Sequence, residues 1–215
     1  MEIIHLGHSS FKIRAKGVVL VTDPYSSLDT GLKFPKVEAD IITVSHDHQD
    51  HNAVSQVGGM PVIIRGPGEY EIKGIRIFGL SSFHDQEKGA KRGRNTIYQI
   101  KMDNLSLLHL GDLGEKPTQE QIELLGSVDV LMIPVGGIFT ISASEAAKIA
   151  ADLEPRIVIP MHYKVPGLKF ELEEVEKFLK EMGKEVKPID KLIVGKDKLP
   201  EGMQVVLLEN QKSKI

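Results

Sequence analysis

Three of the eight histidines fall within six positions of one another, around an aspartate, in Ser45-His46-Asp47-His48-Gln49-Asp50-His51. The pattern His-x-His-x-Asp-His is suited to holding metal. In an extended segment alternate side chains share a side, so His46 and His48 can grip one ion. A turn after His48 lets Asp50 and His51 face a neighbouring position. Neutral imidazoles and carboxylates suit Zn²⁺, with Mn²⁺ or Fe as alternatives. The chain has no cysteine, which excludes thiolate zinc sites, iron–sulfur clusters, a disulfide framework and a cysteine nucleophile.

Four donors in one short segment do not complete two metal sites. The remainder are expected where apolar strands end, because strand ends place side chains on one rim of a layered fold. Three such places occur: His84 after an apolar run over 75–83, Asp112 after 105–110, and His162 after 157–161. His109 competes with His84, but it stands three positions before Asp112. An odd offset in a strand sends the two side chains to opposite faces, which favours His84.

These donors need a scaffold. Apolar runs bounded by Gly, Pro and polar residues predict strands over 2–6, 11–15, 18–22, 41–44, 61–64, 74–80, 96–102, 105–110, 128–133, 156–159 and 205–208. Thr118 with Gln121 and Ser142 with Glu145 read as capping boxes opening two helices. After Ser142, Ala146, Ile149, Ala150 and Leu153 recur on one helical face. A third helix is predicted over 171–182 from Leu172, Val175, Phe178, Leu179 and Met182. Two blocks of strands, each followed by helices, predict a layered α/β sandwich in a single domain spanning 1–215.

The 215 residues are 41% hydrophobic and 27% charged, enough for a sizeable core that needs no metal or disulfide staple. No run approaches a membrane span, and Met1–Gly7 has no basic segment leading into an apolar stretch. No membrane association and a cytoplasmic location are therefore expected. The net charge of −3 argues against broad nucleic-acid binding.

With these residues in view, the chain resembles the metallo-β-lactamase-fold hydrolases. The resemblance rests on His46, His48, Asp50 and His51, then His84, Asp112 in Gly-Asp-Leu-Gly and His162 in Pro-Met-His-Tyr. Gly7-His8-Ser9-Ser10-Phe11, Thr22-Asp23-Pro24 and the segment 134–140 are similar to the subgroup that includes L-ascorbate-6-phosphate lactonase. The resemblance implies an αββα four-layer sandwich with two divalent metal ions, zinc first among them. It assigns His46, His48 and His84 to one ion, Asp50, His51 and His162 to the other, and Asp112 to both. It implies a metal-bound hydroxide as nucleophile, oriented by Asp50, which can also take a proton. The implied substrate is a small anionic molecule such as a phosphorylated lactone or a phosphodiester.

Other positions carry two readings each. His8 is a site contact or a packing residue, His5 an ordinary strand residue, and Asp23-Pro24 a brace for the metal loop or a plain turn. Gly136-Gly137 offers backbone N–H groups to an anion or makes a strand-to-helix turn. Residues 88–94 hold four basic side chains and read as an anion-binding loop or as a solvated charged loop, with the second reading slightly ahead. Two other functions stay open: a phosphodiesterase or nuclease of the same fold, and a non-catalytic metal-binding or sensing protein. So does assembly as a homo-oligomer.

Overall fold

A computed structural model describes residues 1–211, so the last four residues of the expected domain lie outside the described part. In chain order the strands are β1 (Glu2–Gly7), β2 (Ser10–Ala15), β3 (Val18–Thr22), β4 (Ile41–Val44), β5 (Val62–Arg65), β6 (Gly68–Ile72) and β7 (Ile75–Phe83). There follow β8 (Arg94–Met102), β9 (Leu105–His109), β10 (Val130–Pro134), β11 (Ile157–Met161), β12 (Leu192–Ile193) and β13 (Gln204–Val205). The α-helices are α1 (Ser27–Thr30), α2 (Gln119–Leu125), α3 (Ala143–Leu153) and α4 (Val175–Glu181).

The strands form two mixed sheets, ordered β12-β1-β2-β3-β4-β5 and β13-β11-β10-β9-β8-β7-β6. Between the sheets lies a core that includes Phe11, Ile13, Leu20 and Ile41 from one side and Ile77, Ile100, Leu107 and Met132 from the other. The far face of the seven-stranded sheet carries a second core, closed by Ala146, Ile149 and Leu153 of α3 and Phe178 of α4. Strands covered on both faces must be apolar on both faces. That is why β9, β10 and β11 are buried at every position. The far face of the six-stranded sheet is covered more thinly, by Tyr25, Phe34, Val37, Ala39 and Val57 from loops around the four-residue α1. The αββα layering is present, with one outer layer made mostly of irregular chain.

Both predicted capping boxes form: Thr118 caps α2 with Gln121 at its third position, and Ser142 caps α3 with Glu145. The predicted 171–182 helix is shorter. Glu173 donates its backbone N–H to Gly136 O at 2.8 Å and accepts from Lys164 N at 2.9 Å. These bonds hold residues 171–174 extended, and the helix starts only at Val175. Strands β6 and β12 escape the sequence pattern. β6 reads Gly-Glu-Tyr-Glu-Ile at a sheet edge, where half the side chains face solvent and the apolar signal is diluted.

Strand direction sets up the functional site. β1 and β3 are both antiparallel to β2, and β4 runs parallel to β3, so β1, β3 and β4 end on one rim. In the other sheet β7 and β9 are both antiparallel to β8, with β10 and β11 parallel to β9, so these four also share a rim. The residues directly after these strand ends include His8, Asp23, Ser45, His84 and His162, with Asp112 three positions beyond β9.

Leu107 is fully buried between the sheets. Leu107→Ala should lower unfolding free energy by about 2–5 kcal/mol through lost burial and a residual cavity. Chemical denaturation measures this, and a loss near zero would mean that the inter-sheet core is not tightly packed there.

Candidate metal centre

The chain after β4 positions the first four donors. Leaving the strand, Ser45 and His46 are buried, and a turn closes at His48, whose carbonyl accepts from His51 N at 2.9 Å and Asn52 N at 3.0 Å. The turn brings Asp50 and His51 back toward the strand end. His46 and His48 remain neighbours, with ring centroids 4.6 Å apart, and His84 lies 4.8 Å from His46 and 5.1 Å from His48.

Besides the buried trio Asp23, His46 and His51, two groups of donors face the rim. One comprises His46, His48 and His84; the other comprises His8, Asp50, His51 and His162. Asp112 stands between them. Its Oδ2 lies 3.2 Å from Nε2 of His84 and 3.2 Å from Nε2 of His162, and its Oδ1 lies 3.2 Å from Nε2 of His51. All seven donors singled out from the sequence therefore meet at one place.

His109 does not join them. Its Nε2–H donates to Ser9 O at 2.8 Å and its Nδ1 accepts from Gly111 N at 3.2 Å, so both ring nitrogens are occupied. It links the two sheets beneath the site, with Phe11 against its ring. His5 makes a local tie within the six-stranded sheet, with its Nε2 bonded to His8 O at 2.9 Å just beyond the end of β1. Burial pushes the His5 ring down to about 4, which keeps it a neutral donor. The segment 8–10 is thus gripped by its carbonyls, and His162 N also donates to His8 O.

Asp23 is a brace rather than only a turn residue. It is fully buried, and its carboxylate accepts from Ser45 N at 2.8 Å, Ser45 Oγ at 2.6 Å and His51 Nδ1 at 2.9 Å. The single hydroxyl hydrogen of Ser45 goes to Asp23, so its oxygen accepts from His46 Nδ1 at 2.9 Å. This network assigns the tautomers: both His46 and His51 carry hydrogen on Nδ1 and present Nε2 toward Asp112. Sequence reasoning missed Ser45 in this role, although its place directly before the His-x-His pair was a usable signal. It also missed Asn95, whose Oδ1 accepts from Asp112 N at 3.0 Å while its amide holds Leu110 O. A polar residue inside an apolar strand was the only hint.

Backbone geometry is specialised here too. His8, Asp23 and His162 adopt φ of 54°, 38° and 53°, in the left-handed region that non-glycine residues enter infrequently, His and Asp more readily than most. Gly114 and Gly136 permit close approach instead. A Cβ at 114 would collide with the backbone of His84 and Asp85, and one at 136 with His162 O. The Gly136-Gly137 pair is accounted for by this packing and by its turn.

The electrostatics ask for positive charge. Burial pushes the His46 ring down to about 3, reinforced by His51 nearby. Burial likewise lowers His48, with His84 adding to it. Asp112 is held well below the usual carboxylate range: burial opposes its charge, but His162 and His51 outweigh it. Asp50 is also held low, against burial, by His51 and His8. His51 goes the other way. Burial opposes its charge, but Asp112 and Asp50 raise it well above the ordinary imidazole range. Nε2 of His46, Nε2 of His51 and Oδ1 of Asp112 are buried without a hydrogen-bond partner. Buried nitrogens and carboxylate oxygens gathered this closely call for a positive charge among them, met by a proton on His51 when no ion is bound and by a cation when one is. The donor set fits a divalent metal.

A cavity of about 370 Å³ opens onto this centre, lined by His48, Asp50, His84, Asp112 and His162 with Arg92, Phe139 and Phe170 at its walls. A larger cavity, about 1080 Å³, lies between Tyr25, Tyr163 and Leu207 and contains none of the donors. The smaller one is the functional candidate because the chemistry is there.

Comparison with known proteins agrees with this geometry. Residues 2–162 match the family model described as the β-lactamase superfamily domain. A UPF0173 metal-dependent hydrolase of Lawsonia intracellularis is 33% identical, with 87% of this chain and 94% of that protein covered. One from Thermococcus kodakarensis is 30% identical, covering 83% and 92%. Among solved structures, a Thermotoga maritima protein of the metallo-β-lactamase superfamily, proposed to be a Zn-dependent hydrolase, superimposes with a TM-score of 0.81. It is 35% identical, with 96% of this chain and 97% of that chain covered. The chain belongs to the UPF0173 metal-dependent hydrolases of the metallo-β-lactamase superfamily, and it is a metal-dependent hydrolase.

Asp23→Asn replaces an acceptor shared by Ser45 and His51 with an NH₂ group. Metal affinity should weaken by about 10–100-fold while the fold persists. Competition with a chelator, alongside circular dichroism, measures both; unchanged affinity would show that Asp23 does not orient the histidines.

Proposed function

We propose that the chain is a binuclear hydrolase acting on a small anionic substrate, of the phosphorylated-lactone or phosphodiester type. The observation that carries this reading is the placement of Asp112, one buried carboxylate within 3.2 Å of His51, His84 and His162, which belong to both donor groups. His46, His48 and His84 would hold one ion, and Asp50, His51 and His162 the other, with Asp112 shared. Zinc suits the donors best, with manganese or iron as alternatives. Divalent ions in such a site supply Lewis acidity and make bound water acidic near neutral pH.

The protein's own groups do the rest. Asp23 and Ser45 fix the rings of His51 and His46, so no reorientation is needed as substrate enters. Asp50 is the donor carboxylate that lines the cavity while remaining partly exposed. Its carboxylate would orient the attacking water and take up its proton for transfer to the leaving group. His8 Nε2, 3.2 Å from the carboxylate's Oδ2, keeps Asp50 ionised and pointed inward. His8 thus acts as a support for Asp50, a more definite role than its motif alone suggested. The cavity volume suits a small molecule. The likeness of the 7–11, 22–24 and 134–140 segments to the subgroup that includes L-ascorbate-6-phosphate lactonase supports a lactone in particular.

Metal analysis of the purified protein should find close to two ions per chain. A panel of lactones, phosphodiesters, thioesters and lactams should reveal turnover of an anionic member. Failure to take up metal on reconstitution would overturn the reading.

Asp112→Ala should lose or weaken one ion and lower turnover by several orders of magnitude while the chain stays folded, since its apolar core is independent of the ions. His109→Ala should keep both ions and lose stability instead, because His109 joins the two sheets. Metal stoichiometry, thermal midpoint and activity separate these outcomes. Two retained ions in His84→Ala together with an emptied site in His109→Ala would refute the ligand assignment.

A further inference from the structure

The basic loop 88–94 does not act as a unit. Its backbone is organised by Asp85, whose carboxylate accepts from the N–H groups of Glu87 at 2.8 Å, Gly89 at 2.9 Å, Lys91 at 3.0 Å and Arg92 at 2.7 Å. The loop closes when His84 N donates to Gly93 O at 3.1 Å. A segment beginning one residue after a metal donor is thereby fixed in shape. Lys88 and Lys91 are exposed, and Lys91 pairs with Glu87. Arg94 is exposed and lines, together with Arg65 and Arg92, a neighbouring depression on the other side of His46 and His48, but it does not reach the cavity over Asp112.

Arg92 differs from the other three. It is half-buried and it alone of the four lines the cavity that holds His48, His84 and Asp112. Its guanidinium carbon sits 5.2 Å from the centroid of the Phe139 ring. Among the described residues it has neither an ion pair nor a side-chain hydrogen bond. A guanidinium held against an aromatic face, with its fork of donors unused beside a cavity, is arranged for a planar or tetrahedral oxyanion. Phe139 and Phe170, with centroids 6.0 Å apart, give the same cavity an apolar wall.

We propose that Arg92 grips the oxyanion of the substrate while Phe139 and Phe170 hold an apolar or aromatic body beside it. The substrate class is then a small hydrolysable molecule joining such a body to a carboxylate or a phosphate. This rests on the hydrolase reading and adds the source of selectivity: Arg92 and the aromatic pair choose the molecule, and the metal centre does not.

The test is direct binding of phenylphosphonate, benzoate and neutral benzamide to the full chain, both metal-loaded and chelator-stripped, by calorimetry. At least one anion should bind about 10-fold or more tightly than benzamide in both forms. Phenylphosphonate and benzoate report separately on phosphate-like and carboxylate ligands. Arg92→Gln should remove most of the preference, Arg92→Lys should keep part of it, and Arg94→Gln should leave it unchanged. Phe139→Ala should weaken phenylphosphonate but not methylphosphonate. Equal binding of anion and benzamide, a silent Arg92→Gln, or an equal loss in Arg94→Gln would overturn the proposal. Turnover of paired anionic and neutral esters keeps the two readings apart. Absent turnover with Arg92-dependent binding intact would sink the hydrolase reading alone. Turnover of both esters with a silent Arg92→Gln would sink this one alone.

Discussion

The structure depends on a buried carboxylate that three histidines approach from different strands. Asp112 is almost inaccessible, yet it is held anionic by His162 and His51 against the cost of burial. Two sheets have to end at the same height for this to happen, because His51 comes from one sheet and His84 and His162 from the other. The alternation of strand directions on either side of β2 and β8 achieves that alignment. The two glycines at 114 and 136 then let the backbones of neighbouring loops draw close enough for the side chains to meet.

Around this anion the chain has built supports that fix direction as well as position. Asp23, Ser45 and Asn95 contribute nothing that a substrate would touch, but they settle which nitrogen of His46 and His51 faces inward and where the Asp112 backbone lies. His5 and His109 hold the 8–10 segment from below by its carbonyls. Three residues at the rim accept left-handed backbone conformations, each at a cost on the order of 1–3 kcal/mol, which the surrounding hydrogen bonds sustain.

Much of this was legible in the sequence, and for a physical reason. A metal site needs a few chemically distinctive residues at fixed spacings, so His46, His48, Asp50 and His51 stand out, and strand ends pick out His84, Asp112 and His162. His109 stands apart from the donors as expected, but not through strand parity: β9 ends at His109, and the chain turns through Gly111 at φ 57° before it reaches Asp112. What escaped was of a different kind. Ser45 and Asn95 are common residues whose role comes from tertiary neighbours. β6 is an edge strand without a continuous apolar face. The 171–182 periodicity is real, since Leu172 is buried, but backbone bonds from Glu173 to Gly136 and Lys164 keep its first turn from winding. Periodicity reports burial, and cannot tell which hydrogen bonds the backbone will choose.

The thin outer layer over the six-stranded sheet has a consequence for how the site tolerates substitution. The chain that covers Val21, Ile42 and Val44 with Tyr25, Phe34 and Val57 is the chain that carries His46, His48, Asp50 and His51. Its two arms are stitched together where Ser26 N donates to Gln49 O at 3.0 Å and Ala53 N to Pro24 O at 2.7 Å. The segment that presents the four donors is thus fastened to the segment that covers this greasy flank. A substitution that loosens either arm, at Pro24 and Ser26 or at Gln49 and Ala53, would displace the donors and uncover apolar surface together.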